Sequence, residues 1–337
     1  MGNRRALAAA LLAVACTALA AGCSSSSSPA AASSSSGSAK PSGTASVAYA
    51  ASLEYLNFKV AGPAFERATG YSYTGQGNTS GALEADIAAG EISPNVFQAV
   101  GGDNITPLMP KFTTWYIQYA GTSIVVAYNP HSKYASQFKA IADGSKPTSD
   151  LFTLLQTPGL RLGRTDPATD PQGRDFILML MLAQAYYHLP ADTVAKILGT
   201  SDYGASSSPQ IFAESSLDAT LQSGQLDAAS AFISQAVQLH LAYIPLPTAI
   251  NLGSFAEAAH YKTASLTVGA KTYHGSPQVI DMTIIGTPTP AGIAFVKYTL
   301  SPAGLAHYRQ GGYTVLTPTV FGDKSAVPSA ISSELGG

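Results

Sequence analysis

Residues 161–189 read RLGRTDPATDPQGRDFILMLMLAQAYYHL: a short strand pattern, a charged turn and a long apolar helix pattern. Three aspartates and three arginines fall within the first sixteen of these residues, although only 11% of the chain is charged. Asp170 followed by Pro171 matches a helix N-cap with proline at the first helical position. The pattern therefore predicts a helix from Gln172 to about His188 that begins beside a cluster of charges.

The start of this predicted helix has the properties of an anion site. The first backbone amides of a helix lack intrahelical partners, and the helix dipole makes this end positive. Here those amides belong to Gln172, Gly173 and Arg174, and Gly173 lets a ligand approach the backbone closely. A capped helix with solvated aspartates explains the same residues, so the motif alone leaves both interpretations open.

Strand and helix patterns alternate on both sides of this stretch. Apolar runs of strand type alternate with amphipathic runs closed by glycine over residues 46–53, 56–70, 71–78, 79–90 and 95–100. Further α/β patterns cover residues 122–130, 215–232, 242–247 and 278–310. Such a series predicts an α/β protein with mostly parallel sheets flanked by helices.

The N-terminus has the pattern of a bacterial lipoprotein signal. MGNRR supplies positive charge, ALAAALLAVACTALAA an apolar core, and small residues precede Cys23, which would carry the lipid. We expect a signal peptide over residues 1–22 and a Ser/Ala-rich tether over residues 23–45. The alternatives are an ordinary signal peptide or an uncleaved anchor.

Composition narrows the possible functions. Cleavage before Cys23 would leave no cysteine, hence no disulfide and no cysteine metal site. It would also leave 16 basic and 20 acidic side chains, a net charge of −4. This balance does not indicate the basic surface that nucleic-acid binding requires. An anion would have to be held by local groups rather than by long-range attraction.

Two serines mark further candidate binding positions. Ser52 follows the first predicted strand, and Ser80 lies at the start of a predicted helix. In an α/β sheet, ligands bind at the carboxyl ends of the strands, which is where both serines are expected. Ordinary helix capping by serine explains each of them taken alone.

Catalytic signatures are missing from the sequence. It contains no G-x-S-x-G elbow, P-loop or H-E-x-x-H motif, and its six histidines show no metal-ligand spacing. Asp166 or Asp175 could pair with Asp170 as two carboxylates, but neither has a nucleophile or base beside it. We therefore expect no enzyme, no catalytic residues, no cofactor and no resident metal, and an extracellular hydrolase is the weaker hypothesis.

Several longer stretches occur in an order typical of one family. They are AASL at 50–53, GNTSGALEADI at 77–87, GRTDPATDPQGRDFILMLMLAQAYY at 163–187, QSGQLDAASAFISQAVQLHLAYIPLP at 222–247 and PAGIAFVKYTLSPAGLAHYRQGGY at 290–313. Together they resemble the extracellular molybdate/tungstate-binding proteins of ABC transporters, especially the archaeal-type branch. The resemblance implies a two-lobed type II periplasmic-binding-protein fold with a tetrahedral oxyanion held between the lobes.

The resemblance also implies roles for particular residues. Ser52 and Ser80 match the family's oxyanion-binding serines, and Asp170 matches a carboxylate that coordinates the metal of the oxyanion in the archaeal-type branch. The family motif reads G-R-[ST]-D-P-x-x-D-P-C-G-Y-R, so Gln172 replaces its cysteine and Gly-Arg-Asp its Gly-Tyr-Arg. Gln172 and Gly173 are expected to offer amides to the ligand.

One family position departs from the pattern. The branch has a second coordinating glutamate in a stretch reading L-D-Y-x-F-E-Y, and Ala231 aligns with it. Six-coordinate binding is then in question, and hydrogen bonding of a tetrahedral oxyanion is the simpler expectation. Ser230 and Ser234 are expected to supply neutral donors in place of the missing glutamate.

The resemblance further implies the organisation and the partners. We expect lobe 1 over residues 46–128 and 249–337 and lobe 2 over residues 129–248, with hinges near 126–130 and 245–250. The protein is expected to be a monomer, anchored by Cys23 on the outer face of the cytoplasmic membrane, that serves ABC permease subunits. Alternatives are binding of sulfate or a small organic anion, or a sensor that transports nothing.

Overall fold

The structure is a computed structural model that describes residues 41–335. The expected signal peptide, Cys23 and tether residues 23–40 lie outside the described residues. The strands are β1 Thr44–Ala50, β2 Ser72–Asn78, β3 Val96–Val100, β4 Trp115–Gly121, β5 Ile124–Tyr128, β6 Leu162–Gly163, β7 Ala228–Phe232, β8 Ala242–Ile244, β9 Ser265–Val268, β10 Lys271–His274, β11 Val279–Ile284 and β12 Thr314–Gly322.

The helices lie between these strands as an α/β pattern requires. They are α1 Gly62–Thr69, α2 Ser80–Ala89, α3 Ala135–Ala142, α4 Ser149–Leu154, α5 Pro171–Tyr186, α6 Thr193–Leu198, α7 Glu214–Gln222, α8 Ile233–Gln238, α9 Ala258–Tyr261, α10 Pro290–Leu300, α11 Pro302–Gln310 and α12 Ser329–Ser332. Within residues 41–335, none of the helices has the length and apolar character needed to cross a membrane.

The strands form two main sheets, which define two lobes. Lobe 1 contains the six-stranded sheet in the order β12-β4-β11-β3-β1-β2, and lobe 2 the four-stranded sheet in the order β6-β7-β5-β8. The antiparallel pair β9–β10 forms a separate hairpin. The predicted α/β class with two helix-flanked sheets is confirmed.

The expectation of mostly parallel sheets is wrong. In lobe 1 only β1–β2 and β1–β3 are parallel, whereas β11 and β12 pair antiparallel with their neighbours. In lobe 2 only β6–β7 is parallel. Strands joined by helical crossovers run parallel, but β11 re-enters the lobe 1 sheet from lobe 2 and arrives in the opposite direction.

The chain passes between the sheets just after Gly121. It leaves β4 there and enters the lobe 2 sheet at Ile124. Strand β5 therefore pairs with β7 and β8 of lobe 2, whereas the expected range of lobe 1, residues 46–128, included it. The Ile124 amide donates to the Asn251 carbonyl at 2.8 Å, which puts the outgoing and returning segments side by side. The exact lobe limits stay a prediction.

The glycine ends predicted for two helices of lobe 1 are present, and one of these helices has an N-cap that was not predicted. Thr79 caps α2, with its hydroxyl oxygen accepting from the Ala82 amide at 3.3 Å. Gly70 and Gly90 end α1 and α2 with φ of 79° and 78°, a left-handed conformation that glycine adopts without strain. The Thr79 cap fixes the start of α2 directly after β2 and thereby places Ser80.

Candidate functional site

The starts of two helices from different lobes meet. The Gly81 amide, in the first turn of α2, donates to the Thr169 carbonyl at 3.1 Å, and Thr169 directly precedes the cap of α5. Both helices have at least ten residues, so each directs the positive end of its dipole toward this place. We call it the helix junction.

Both predicted serines of lobe 1 are buried at contacts with lobe 2, and Ser80 lies at the helix junction beside Gly81. Ser80 is 1% exposed, and its hydroxyl oxygen accepts from the Val100 amide at 3.1 Å. Ser52 is also buried, in a short helical turn that packs against α7 and α8 of lobe 2. Its carbonyl accepts from the Tyr313 hydroxyl at 3.0 Å.

Asp170 is the cap of α5, as predicted, with Pro171 at the first helical position. It is 1% exposed, and its Oδ1 accepts from the Gln172 amide at 2.9 Å. The Arg174 amide donates to the Asp170 carbonyl at 3.3 Å. Two of the three amides expected to be unpaired are therefore engaged within lobe 2.

The structure explains the glycine at position 173 differently from the sequence analysis. A Cβ on this residue would lie 2.4 Å from the Thr165 carbonyl oxygen and 3.0 Å from the Asp166 carbonyl carbon. The missing side chain makes room for the turn that precedes the helix. Close packing within lobe 2 thus explains this glycine, and close approach of a ligand is not required.

A connected group of four side chains lies behind the start of α5. Ser230 donates to Gln172 Oε1 at 2.9 Å, and Gln172 Nε2 donates to Gln235 Oε1 at 2.6 Å. Gln235 Nε2 donates to Glu214 Oε1 at 2.8 Å, and Gln172 Nε2 also lies 3.4 Å from this oxygen. With Asp170 these residues form what we call the acid–amide cluster. The Gln172 side chain is thus bound to protein groups.

The two acids of the cluster lie close enough for each to influence the pKa of the other. Burial raises the pKa of Asp170 and of Glu214, and for Glu214 the neighbouring Asp170 and Asp218 raise it further. Arg174 has the opposite effect on the pKa of Asp170. Two negative charges in a buried site are costly unless paired, so burial and the nearby Asp170 carboxylate favour the protonated form of Glu214.

The position aligned with the family's second glutamate does not face this cluster. Ala231 is fully buried with Val125, Ala127 and Leu217 in an apolar group on the other face of β7. Neighbouring residues of a strand point to opposite faces, and Ser230 is the one that faces Gln172. The acid beside Asp170 is Glu214, at the start of α7, which sequence analysis missed. Its only signal was an acidic residue at the beginning of a predicted helix.

Ser234 belongs to the contact between the lobes. Its hydroxyl lies 3.2 Å from the Thr122 hydroxyl, on the segment that joins β4 to β5. Next to it, Gln238 Nε2 donates to the Gly311 carbonyl at 2.9 Å. The predicted residues Ser230 and Ser234 are therefore both buried, and both hydroxyls are engaged with other side chains.

A polar cavity of about 440 Å³ lies on the other side of α5. Arg174 stacks on the Tyr273 ring at 4.3 Å and lies 4.0 Å from the Asp103 carboxylate. Asp175 also lines this cavity, and burial raises its pKa well above the ordinary value. Within residues 41–335, no group of His, Cys, Asp and Glu side chains is arranged to hold a metal ion.

The helix junction can hold a small anion. Serine hydroxyls donate hydrogen bonds without a countercharge, and a bond to a charged group is worth about 1.5–3 kcal/mol. The raised pKa of Glu214 favours its neutral form, which lowers the negative charge that an anion would meet there. The site therefore has the chemistry of binding by fixed donors, in an interlobe position that can close by hinge motion.

The fold defines the class as a two-lobed type II periplasmic binding protein. The periplasmic molybdate-binding protein of Azotobacter vinelandii has a TM-score of 0.52 at 17% identity, with 80% of this chain and 99% of that one covered. The sulfate-binding protein SubI of Mycobacterium tuberculosis has a TM-score of 0.51 at 12% identity, with 86% and 89% covered.

The chain belongs to the family of bacterial extracellular solute-binding proteins, whose sequence profile matches residues 45–314. A solute-binding protein of Petrotoga mobilis is 31% identical over 219 residues, which are 63% of this chain and 64% of that one. The molybdate/tungstate-binding protein WtpA of Pyrococcus abyssi is 28% identical over 278 residues, 76% and 78% of the two chains. The match to the Petrotoga relative thus spans just under two thirds of that protein's length.

Proposed function

We propose that this protein captures a tetrahedral oxyanion, molybdate or tungstate, between its lobes and delivers it to an ABC importer. The observation that carries the proposal is the helix junction, where two positive helix ends meet beside the buried Ser80, with the buried Ser52 at a neighbouring contact between the lobes. The names of the Pyrococcus relative and of its counterpart in Thermococcus kodakarensis, also a molybdate/tungstate-binding protein WtpA, support this ligand.

The structure refines the expected mode of binding in this proposal. Lobe 1 would bind oxyanion oxygens through the Ser52 and Ser80 hydroxyls, whose fixed positions select the size of the anion. Lobe 2 would face the anion with Asp170, backed by Glu214 rather than by residue 231. Gln172, Ser230 and Ser234 would hold the site in shape, because their side chains are engaged with other protein groups.

The cellular setting is part of the same proposal. The protein would work outside the cytoplasmic membrane as a monomer without catalytic activity, attached through lipid on Cys23 and docking on permease subunits. The lipid is tested by mass spectrometry of the N-terminal peptide from membrane fractions, and a Cys23→Ser variant should be released into the medium.

Ligand binding is tested with the purified domain, residues 41–337. Molybdate, tungstate, sulfate, phosphate and small organic anions are compared by thermal shift and calorimetry. A ligand that binds the folded state alone stabilises it by RT ln(1 + [L]/Kd), about 2.7 kcal/mol at a hundredfold excess over Kd. We expect molybdate and tungstate to raise the melting temperature. If only an organic anion raised the melting temperature, molybdate and tungstate would be rejected as the ligands. If no anion raised it, the whole proposal would be rejected.

A further inference from the structure

Gly81 is the residue through which the two lobes touch at the helix junction. It is the second residue of α2, next to Ser80, and its amide donates across the lobes to the Thr169 carbonyl at 3.1 Å. Thr169 is in turn the neighbour of Asp170. The backbone contact therefore lies between the serine of lobe 1 and the acid of lobe 2.

The contact leaves no room for a side chain at position 81. A Cβ there would lie 2.7 Å from the Thr169 carbonyl oxygen and 3.3 Å from its carbonyl carbon. Both are backbone atoms, so a change of rotamer cannot relieve the overlap. Real Cβ atoms essentially never approach other atoms closer than 3.0 Å, and the lobes would have to separate.

Several hydrogen bonds hold the turn that carries Thr169 in place. The amides of Thr169 and Asp170 both donate to the Asp166 carbonyl, at 3.3 and 2.9 Å. The Asp166 carboxylate accepts from the Ala168 amide at 2.9 Å. Moving the Thr169 carbonyl would disturb these bonds and the cap of α5 together.

Nothing within lobe 1 calls for glycine at this position. Gly81 has no left-handed φ, and alanine is the better helix former. The three atoms nearest to a Cβ on Gly81 all belong to Thr169 of lobe 2. Gly173 provides the contrast, because a Cβ there would meet Thr165 and Asp166 of its own lobe.

We infer that Gly81 determines ligand affinity, because the absent side chain lets lobe 1 close fully onto the Thr169 carbonyl of lobe 2. The inference rests on the proposed function and deepens it. In a domain that closes on its ligand, a methyl group at this place holds the donors of lobe 1 away from an anion bound to lobe 2. Binding is then weakened while each lobe folds as before.

The test compares Gly81→Ala with two matched variants. Thr169→Ala removes an exposed side chain but keeps the carbonyl, and Gly173→Ala introduces the same methyl group within lobe 2. Melting temperatures without ligand and calorimetric affinities for molybdate and tungstate are measured for all three and for wild type. Small-angle scattering with molybdate present reports closure.

We expect Gly81→Ala to melt at or above the wild-type temperature without ligand and to bind at least about tenfold more weakly. It should also stay more extended with molybdate than wild type does. Thr169→Ala should bind as wild type, and Gly173→Ala should melt lower. Wild-type affinity in Gly81→Ala, or a lower melting temperature without ligand, would overturn the inference alone. A wild type that binds neither anion would reject the proposed function and this inference with it.

Discussion

The two lobes approach the helix junction with different chemistry. Lobe 1 presents neutral groups, namely the Thr79 cap and the hydroxyls of Ser52 and Ser80, whereas lobe 2 presents the buried acids Asp170 and Glu214. Under the proposed function, lobe 1 would bind the oxygens of an anion directly. In lobe 2, burial raises the pKa of both acids, and the side-chain amides of Gln172 and Gln235 face Glu214. The two lobes thus differ in charge, with neutral donors on lobe 1 and acids on lobe 2.

A lone buried acid shows what the acids of lobe 2 would cost without their partners. Asp281 is fully buried on β11 of lobe 1, and burial, partly offset by the Gln118 side chain, raises its pKa to about 8. The folded-state pKa thus exceeds the model-peptide value of 3.8. Stability from this group is complete below pH 3.8 and is lost as the pH rises through 8.

Asp281→Asn should therefore give the largest change in stability. The free energy of unfolding should exceed that of wild type increasingly between pH 4 and 8 and by a constant amount above, by several kcal/mol at about 1.4 kcal/mol per pKa unit. Urea denaturation at pH 4, 6, 8 and 9 measures the difference. Equal stability of the two proteins at all four pH values would show that Asp281 is not a destabilising charge.

The two helix caps should differ in their contribution to stability. Asp170→Ala removes a fully buried cap at 2.9 Å and should lower the free energy of unfolding by about 2 kcal/mol. Thr79→Ala removes a half-buried cap at 3.3 Å and should cost about 1 kcal/mol or less. Asp170→Asn keeps a capping oxygen and should lie close to wild type. Equal losses for the two alanine variants would show that burial does not distinguish the caps.

Local patterns predicted much of this molecule correctly. The Asp170 cap and the start of α5 followed from Asp-Pro, and the ends of α1 and α2 from Gly70 and Gly90, because caps depend on a few neighbouring residues. The α/β class followed from alternating patterns in the same way. The directions of β11 and β5 did not follow, because they depend on where the chain crosses between lobes, and the sequence contains no local signal for that crossing.

The candidate site was predicted only in part, for a similar reason. Ser52, Ser80 and Asp170 are buried where strands end and helices begin, which an α/β pattern indicates. Glu214 and Gln235 were missed because their proximity to Asp170 arises from the packing of α7 and α8. Position 231 was expected to face the ligand, and it does not, because an alignment gives no information on which face of β7 a side chain occupies.

The two serines of lobe 1 should be separable by one pair of substitutions. Ser80→Ala removes the acceptor of the Val100 amide and should cost about 1 kcal/mol of stability without ligand, in addition to weakening oxyanion binding. Ser52→Ala keeps the carbonyl that binds Tyr313, so its stability should stay within about 0.5 kcal/mol of wild type. Its affinity should still fall about tenfold, since one bond to a charged ligand is lost. Calorimetry and thermal melts measure both quantities, and unchanged affinity in both variants would place the anion away from the serines of lobe 1.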